Sequence, residues 1–293
     1  MRIVIAIGGN ALLKKGEAQT AETLKRNCDI VAKDIAQLAI EHEIILVHGN
    51  GPQVGLLALQ SSDPFDILDA ESQGMIGYVL QQSLDNVLQN KKIAVTVLTQ
   101  VKVDATDPAF SSATKPIGLY YNEAEKIKLE QERGWSFVKR EQQFRRVVPS
   151  PKPTKIIELN AIKLLAESAY VVIAAGGGGI PCVQTEKGLQ GIEAVIDKDL
   201  TAARLALDLQ ADKFIILTDV EGVYREWGNE NQALVSSAYV NELKSQDFES
   251  GSMAPKIQAA CQFAESSGHL AAIGHLENLL AIVENRSGTN ISV

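Results

Sequence analysis

Lys198 and Lys256 stand where lysines are costly. Asp197-Lys198-Asp199 opens an apolar-periodic stretch (Leu200, Ala203, Ala206, Leu207), and Pro255-Lys256 opens another (Ile257, Ala260, Cys261, Ala264). Both patterns read as helices, and proline suits a helix start. A cation in a first turn opposes the helix dipole and costs about 0.3–1 kcal/mol unless an anion answers it. A solvated side chain would account for one such lysine. Two of them, each tied to a glycine-bearing loop, point to a shared anion such as phosphate. Asp197 serves equally well as a helix cap or as a carboxylate holding both ammonium groups in place. Lys115, between Thr114 and Pro116, reads locally as a surface lysine.

Three glycine tracts accompany these lysines: Gly8-Gly9-Asn10, His48-Gly49-Asn50-Gly51-Pro52-Gln53, and Gly176-Gly177-Gly178-Gly179 running into Ile180-Pro181. Lacking Cβ, glycine lets backbone N–H groups approach an anion and adopts positive φ at little cost. Neither the Walker A pattern nor G-x-G-x-x-G is matched. His42, His48, His269 and His275 form no nucleophile or metal pattern, so structural roles suit them, and nothing near Cys182 marks it as a nucleophile. Lysines and backbone N–H groups without an evident general base suit phosphoryl transfer to an acceptor that is already anionic. There, positioning and charge neutralisation supply the catalysis.

The elements that must position these groups alternate. Apolar runs of strand length, Ile3–Ile7, Glu43–Val47, Ile93–Val101, Tyr170–Ala175 and Lys213–Leu217, are of the kind buried in a parallel sheet. Between them lie helical patterns. Leu24, Cys28, Val31, Ile35 and Leu38 mark a helix from about Thr20 to His42, and a second runs from roughly Asp69 to Leu88. Gly74 and Gly77 within the second suggest close approach of another backbone. A short helix is expected near Glu158–Glu167, and the chain should end in Leu270–Ile273, a helix and a Thr289–Val293 strand. Residues 103–147 are polar, carry Pro108, Pro116 and Gly118, and read as a small inserted subdomain. Ligands bind beyond the carboxyl ends of such a sheet, where loops 8–10, 48–53, 176–181 and 218–224 would gather.

The chain has 293 residues, enough for one large α/β domain or two lobes. A net charge of −8 argues against broad nucleic-acid or acidic-membrane binding, so cations used on a substrate must be local. Cys28, Cys182 and Cys261 lie in no metal-ligand spacing and read as reduced thiols of a cytoplasmic protein. No signal peptide or membrane-spanning run is expected.

At these residues the sequence resembles the amino acid kinase superfamily, and within it the carbamate kinases. Carrying the resemblance are Ala-Ile-Gly-Gly-Asn-Ala (6–11), His-Gly-Asn-Gly-Pro-Gln-Val-Gly (48–55), Gln-Gly-Met-Ile-Gly-Tyr (73–78) and Val-Leu-Thr-Gln-Val (97–101). So do Thr-Lys-Pro-Ile-Gly (114–118), Arg-Arg-Val-Val-Pro-Ser-Pro-Lys-Pro (145–153), Gly-Gly-Gly-Gly-Ile-Pro (176–181), Glu-Ala-Val-Ile-Asp-Lys-Asp (193–199) and Gly-Ser-Met-Ala-Pro-Lys (251–256). The resemblance implies a three-layer αβα sandwich around a mostly parallel sheet. It also implies an acceptor lobe over about 1–165, a nucleotide lobe over about 170–293, a protruding lid over 103–147, and a homodimer through the 69–90 helix.

The implied reaction is ATP + carbamate ⇌ ADP + carbamoyl phosphate, run toward ATP in catabolism, with Mg²⁺ held mainly by nucleotide phosphates. By motif, Gly8, Gly9, Asn10, Gly49, Asn50 and Gly51 would hold the phosphoryl group and carbamate. Lys198 and Lys256 would neutralise phosphates, and Asp197 would organise the lysines. Gly176, Gly177, Gly178, Gly179, Asp219, Tyr224 and Met253 would lie at the nucleotide. Many relatives carry a lysine just before the first glycines; here that strand is Arg-Ile-Val-Ile-Ala-Ile, and the resemblance implies that Lys115 of the lid takes its place. Thr-Asp-Val-Glu-Gly-Val-Tyr (218–224) follows the broad superfamily form more closely than that of some carbamate kinases. A related kinase for another small carboxylate, or an idle nucleotide-binding regulator, would share the fold. The four intact charged residues Lys115, Asp197, Lys198 and Lys256 disfavour the regulator.

Overall fold

Arg2–Ile7 (β1) is buried from Ile3 onward, as an apolar strand covered on both faces must be. The computed structural model describes residues 1–13, 16–245 and 253–293. After β1 come Gly9–Leu12 (α1), Ala21–Ala39 (α2), Glu43–His48 (β2), Gly51–Gln60 (α3), Phe65–Leu88 (α4), Ala94–Val97 (β3) and Gln100–Val103 (β4). The inserted segment follows with Lys115–Tyr121 (β5), Glu123–Arg133 (α5), Ser136–Arg140 (β6) and Gln143–Val148 (β7). Pro153–Ile156 (β8) and Leu159–Glu167 (α6) lead to Val171–Ala174 (β9), Ile180–Thr185 (β10), Gly188–Gly191 (β11), Lys198–Asp208 (α7) and Lys213–Thr218 (β12). Last come Val223–Arg225 (β13), Ala233–Val235 (β14), Ser237–Tyr239 (β15), Val240–Lys244 (α8), Met253–Ser267 (α9), Ala271–His275 (β16), Leu279–Val283 (α10) and Thr289–Ser292 (β17).

The central sheet has the order β15-β17-β16-β12-β1-β2-β9-β3, and each neighbouring pair is parallel except β16 with β17. The predicted stripe of α2 (Leu24, Cys28, Val31, Ile35, Leu38) is buried with Ile76, Leu80 and Leu84 of α4 on one face. Thr20 caps α2 by accepting a hydrogen bond from the Thr23 N–H, 3.2 Å. On the other face Ile162 of α6, Leu205 of α7 and Phe263 of α9 share the second apolar cluster, which completes three layers. No helix among the described residues is long and apolar enough to cross a membrane.

Three local expectations change. The single strand expected over Ile93–Val101 is two, β3 in the central sheet and β4 in a second sheet of order β11-β10-β4-β8. Thr99 is the break. Its N–H donates to Gln73 Oε1 (3.0 Å), its carbonyl accepts from Gln73 Nε2 (3.2 Å), and its hydroxyl oxygen accepts from Ala175 N (2.9 Å). Side chains thus satisfy backbone groups that a continuous strand would have paired. α4 starts at Phe65 rather than Asp69, because Pro64 sets an extended entry and Phe65 is fully buried. Finally, Gly77 makes room for a side chain rather than a backbone, since a Cβ there would lie 2.4 Å from Thr96 Cγ2, while Gly74 faces open space.

The inserted segment builds its own antiparallel sheet, β5-β7-β6, beside α5, whose Asn122 and Glu125 form a reciprocal cap.

Candidate active site

β12, β1, β2 and β9 are adjacent and parallel, so the loops leaving their carboxyl ends emerge side by side. These are the four loops expected from the sequence. They are also locked together. Gly8 N donates to Leu217 O (2.9 Å), Gly49 N donates to Ile7 O (3.0 Å), and a Cβ on Gly49 would lie 2.8 Å from Gly9 N.

The tract at 176–179 is foremost a tight turn. Gly177, Gly178 and Gly179 have φ of 70°, 109° and 92°, and the N–H groups of Gly178 and Gly179 return to Ala175 O and Gly176 O at 3.0 Å. The missing Cβ atoms admit neighbours: the His48 ring presses on Gly176 and the Asn50 amide on Gly177. Burial pulls His48 down to about 4, so its ring is neutral packing, with Nδ1 3.2 Å from Gly49 O. Gly51, by contrast, has no atom within 4 Å of a built Cβ, and Gly9 meets only Pro52 Cδ at 3.6 Å. Open space therefore borders both positions. Asn10 contributes backbone to α1, and its side chain lies outside the described residues.

The cations converge on this edge. Lys198 opens α7, and its Nζ donates to Asp199 Oδ1 at 2.5 Å; Lys256 Nζ, from α9, donates to Asp199 Oδ2 at 3.0 Å. All three side chains are buried. Burial opposes the charge on Asp199, but the two ammonium groups win and hold its carboxyl below the ordinary carboxylate range. The same burial lowers Lys198, whereas for Lys256 burial, the largest single effect, is outweighed by the charge and hydrogen bond of Asp199 together with the charges of Asp197 and Asp219, and its pKa is raised. Asp197 faces the insertion instead. Its Oδ2 accepts from Lys115 Nζ at 2.8 Å, while its Oδ1 caps α7 by accepting from Asp199 N (2.9 Å) and Leu200 N (3.3 Å). Burial would raise its pKa, yet Lys115, with Lys198 and Lys256 beyond, holds it well below the usual value.

One expectation is corrected here. The carboxylate gripping both Lys198 and Lys256 is Asp199, while Asp197 grips Lys115. Lys256 is the fourth residue of a helix that starts at Met253, ahead of Pro255; Gly251 and Ser252 of that motif lie outside the described residues. Lys115 is no isolated surface lysine. Sequence reading passed over Asp199 because two carboxylates in a first turn look like dipole companions. It also passed over Asp69 of α4. That side chain is buried, accepts from Asn50 Nδ2 (2.8 Å), and is pushed well above the carboxylate range by burial. Asp219 and Tyr224 follow β12, with the Tyr224 ring against Trp227 at 5.1 Å, and Met253 packs half-buried on the apolar cluster of α7 and α9. Opposite the glycine tract, Thr201 of α7 donates its hydroxyl to Gly178 O at 2.8 Å.

The model of the amino acid kinase family matches residues 1–275. A carbamate kinase of Haemophilus influenzae is 48% identical over 300 residues, covering 100% of this chain and 97% of the relative. A carbamate kinase of Escherichia coli K12 is 45% identical over 298 residues, 99% of each. The structure of a carbamate kinase from Giardia lamblia bound to AMP-PNP superposes with a TM-score of 0.89 at 35% identity, covering 99% of this chain and 98% of that one.

Proposed function

Because the chain belongs to the amino acid kinase family, and carbamate kinases match it from end to end, we propose that it transfers a phosphoryl group reversibly between ATP and carbamate. The observation that carries this reading is the buried Lys198–Asp199–Lys256 cluster beside the open faces of Gly9 and Gly51. In the forward direction a carbamate oxygen attacks the γ-phosphorus, and the bond to the β-phosphate oxygen breaks. Carbamate is already anionic, so no base must take a proton from it, and the protein's task is positioning and charge neutralisation. Lys198 and Lys256 balance phosphate charge. Asp199 fixes them in advance, so they do not reorganise as the transition state forms. Gly8, Gly9, Asn10, Gly49, Asn50 and Gly51 hold the acceptor side; Gly176 to Gly179, Asp219, Tyr224 and Met253 hold the nucleotide side.

Residues 103–147 act as a lid that brings Lys115 to the transferring phosphoryl group. Mg²⁺ would be held mainly by the nucleotide's phosphates and would neutralise part of their charge. Among the described residues no three His, Cys, Asp or Glu side chains gather as a metal cage. Two copies associate through α4, whose exposed Ile67, Met75 and Tyr78 accompany the open Gly74. A monomer by light scattering at micromolar concentration would contradict that association.

The deciding assay is ATP synthesis from ADP with a panel of acyl phosphates. Carbamoyl phosphate should serve, and acetyl phosphate and acetylglutamyl phosphate should not. Efficient use of either of the latter would replace carbamate with another carboxylate.

A further inference from the structure

The run Arg145-Arg146-Val147-Val148-Pro149-Ser150-Pro151-Lys152-Pro153 has no task in the proposed reaction, yet Arg146 lies over two aromatic rings. Its guanidinium carbon lies 3.7 Å from the ring centroid of Trp135 and 4.7 Å from that of Phe65. Trp135 belongs to the insertion, whereas Phe65 opens α4 in the body and is buried. Glu193, in the stretch leading to α7, accepts from Phe65 N at 2.9 Å, and its charge favours the guanidinium. Burial pulls Arg146 down to about 10. Only a planar, weakly hydrated cation can stack on two rings at such separations, so lysine is no substitute.

The clasp shares a small sheet with Lys115. In the β5–β7 register Arg146 pairs with Ile117 and Lys115 with Val148, two rungs away. The same seat is close-fitting: a Cβ on Gly55 of α3 would lie 2.0 Å from Gly118 Cα, so the two backbones touch. Ile117 and Val148 pack with Val54, Leu68 and Val195 of the body. A displacement of Arg146 therefore moves Lys115 along with it.

We propose that Arg146 is a positioning residue: by bridging Trp135 of the insertion and Phe65 of the body it seats the β5-β7-β6 sheet so that Lys115 reaches Asp197. The proposal rests on the reading of Lys115 given above. It assigns to Arg146 a contribution to turnover that passes entirely through Lys115. A purely structural arginine would instead stabilise the insertion without coupling to that lysine.

The test is a cycle of Arg146→Met, Lys115→Ala and the double variant, with kcat for ATP synthesis and ADP affinity by calorimetry. Arg146→Met should lower kcat roughly 10- to 100-fold, the scale of about 1 Å of misplacement, with ADP affinity unchanged. Arg146→Lys should recover little of that loss. In the Lys115→Ala background Arg146→Met should add almost nothing. Near-normal turnover of Arg146→Met beside an impaired Lys115→Ala overturns the proposal alone, as do losses that multiply in the double variant. Normal turnover of Lys115→Ala overturns the parent reading and this proposal with it. Should Arg146→Met fail to fold, Phe65→Leu probes the same contact from the body, and an unchanged kcat there overturns the proposal.

Discussion

Two groups of lysine–carboxylate contacts lie at one edge of the sheet and are built in opposite ways. Lys198, Asp199 and Lys256 belong to the body, come from α7 and α9, and have side chains at most 11% exposed. Lys115 and Asp197 join the insertion to the body, with side chains 21% and 18% exposed. A buried pair cannot be opened cheaply, because each ion left alone carries a desolvation penalty of several kcal/mol. A pair in reach of water can open and close, since water replaces the lost partner. The body charges are therefore fixed in advance, whereas under the lid reading proposed above the charge of Lys115 arrives on closure. The first arrangement suits binding phosphates; the second suits an interaction made mainly in the transition state.

The strongest way to break this comparison is Asp199→Asn. It leaves two buried ammonium groups facing a neutral amide and should destabilise the fold by about 3–5 kcal/mol, read from the guanidinium-chloride midpoint. A stability equal to the parent's would place the buried cluster in the same class as the lid pair. Lys115→Ala should behave in the opposite sense. Its stability should fall by about 0.2–1 kcal/mol, while kcat falls roughly 100- to 1,000-fold with ADP affinity by calorimetry unchanged. Near-normal turnover would make Lys115 a bystander.

Limited proteolysis sharpens the same contrast with a smaller effect. Cleavage should fall first within 103–147, and ADP with carbamoyl phosphate should slow it while the body stays uncut. Equal rates with and without ligands would remove lid closure. The least effect at ordinary pH is in the acid titration. Asp197 and Asp199 both have folded pKa values below their unfolded ones. The stability they contribute is complete above the unfolded value, about 3.9, and is lost as pH falls through the folded one. The stability gap between the parent and Asp199→Asn should thus be flat from pH 7 to about 5 and shrink below about 4. A gap that stays flat through the acid range, or that widens as pH falls from 7 to 5, would show that Asp199 titrates with its ordinary affinity or above it.

Much of the fold was legible because its signals are local. The apolar runs at Ile3–Ile7 and Lys213–Leu217 could only be buried strands, and the stripe of α2 needed no partner to be seen. The glycine tracts marked the strand ends correctly, although Gly9 and Gly51 already begin helices α1 and α3, and at 176–179 much of the need for glycine comes from His48, Asn50, Ile196 and Val101 pressing on the turn. The break at Thr99 was hidden, because it depends on Gln73, 26 residues away.

The sequence by itself determined that Asp197, Lys198 and Asp199 open a helix after a glycine-bearing loop, and that a second lysine lies early in another, where it is the fourth residue of α9. It could not determine which carboxylate serves which lysine. At 3.6 residues per turn, positions 197 and 199 point about 200° apart around the helix axis. One therefore faces α9 and the other the insertion, and the packing of three separate segments decides the assignment. Lys115 shows the same division more sharply. Nothing between Thr114 and Pro116 distinguishes it from a solvated lysine, and only the docking of β5-β7-β6 on the body carries its ammonium group to Asp197, 82 residues further along the chain.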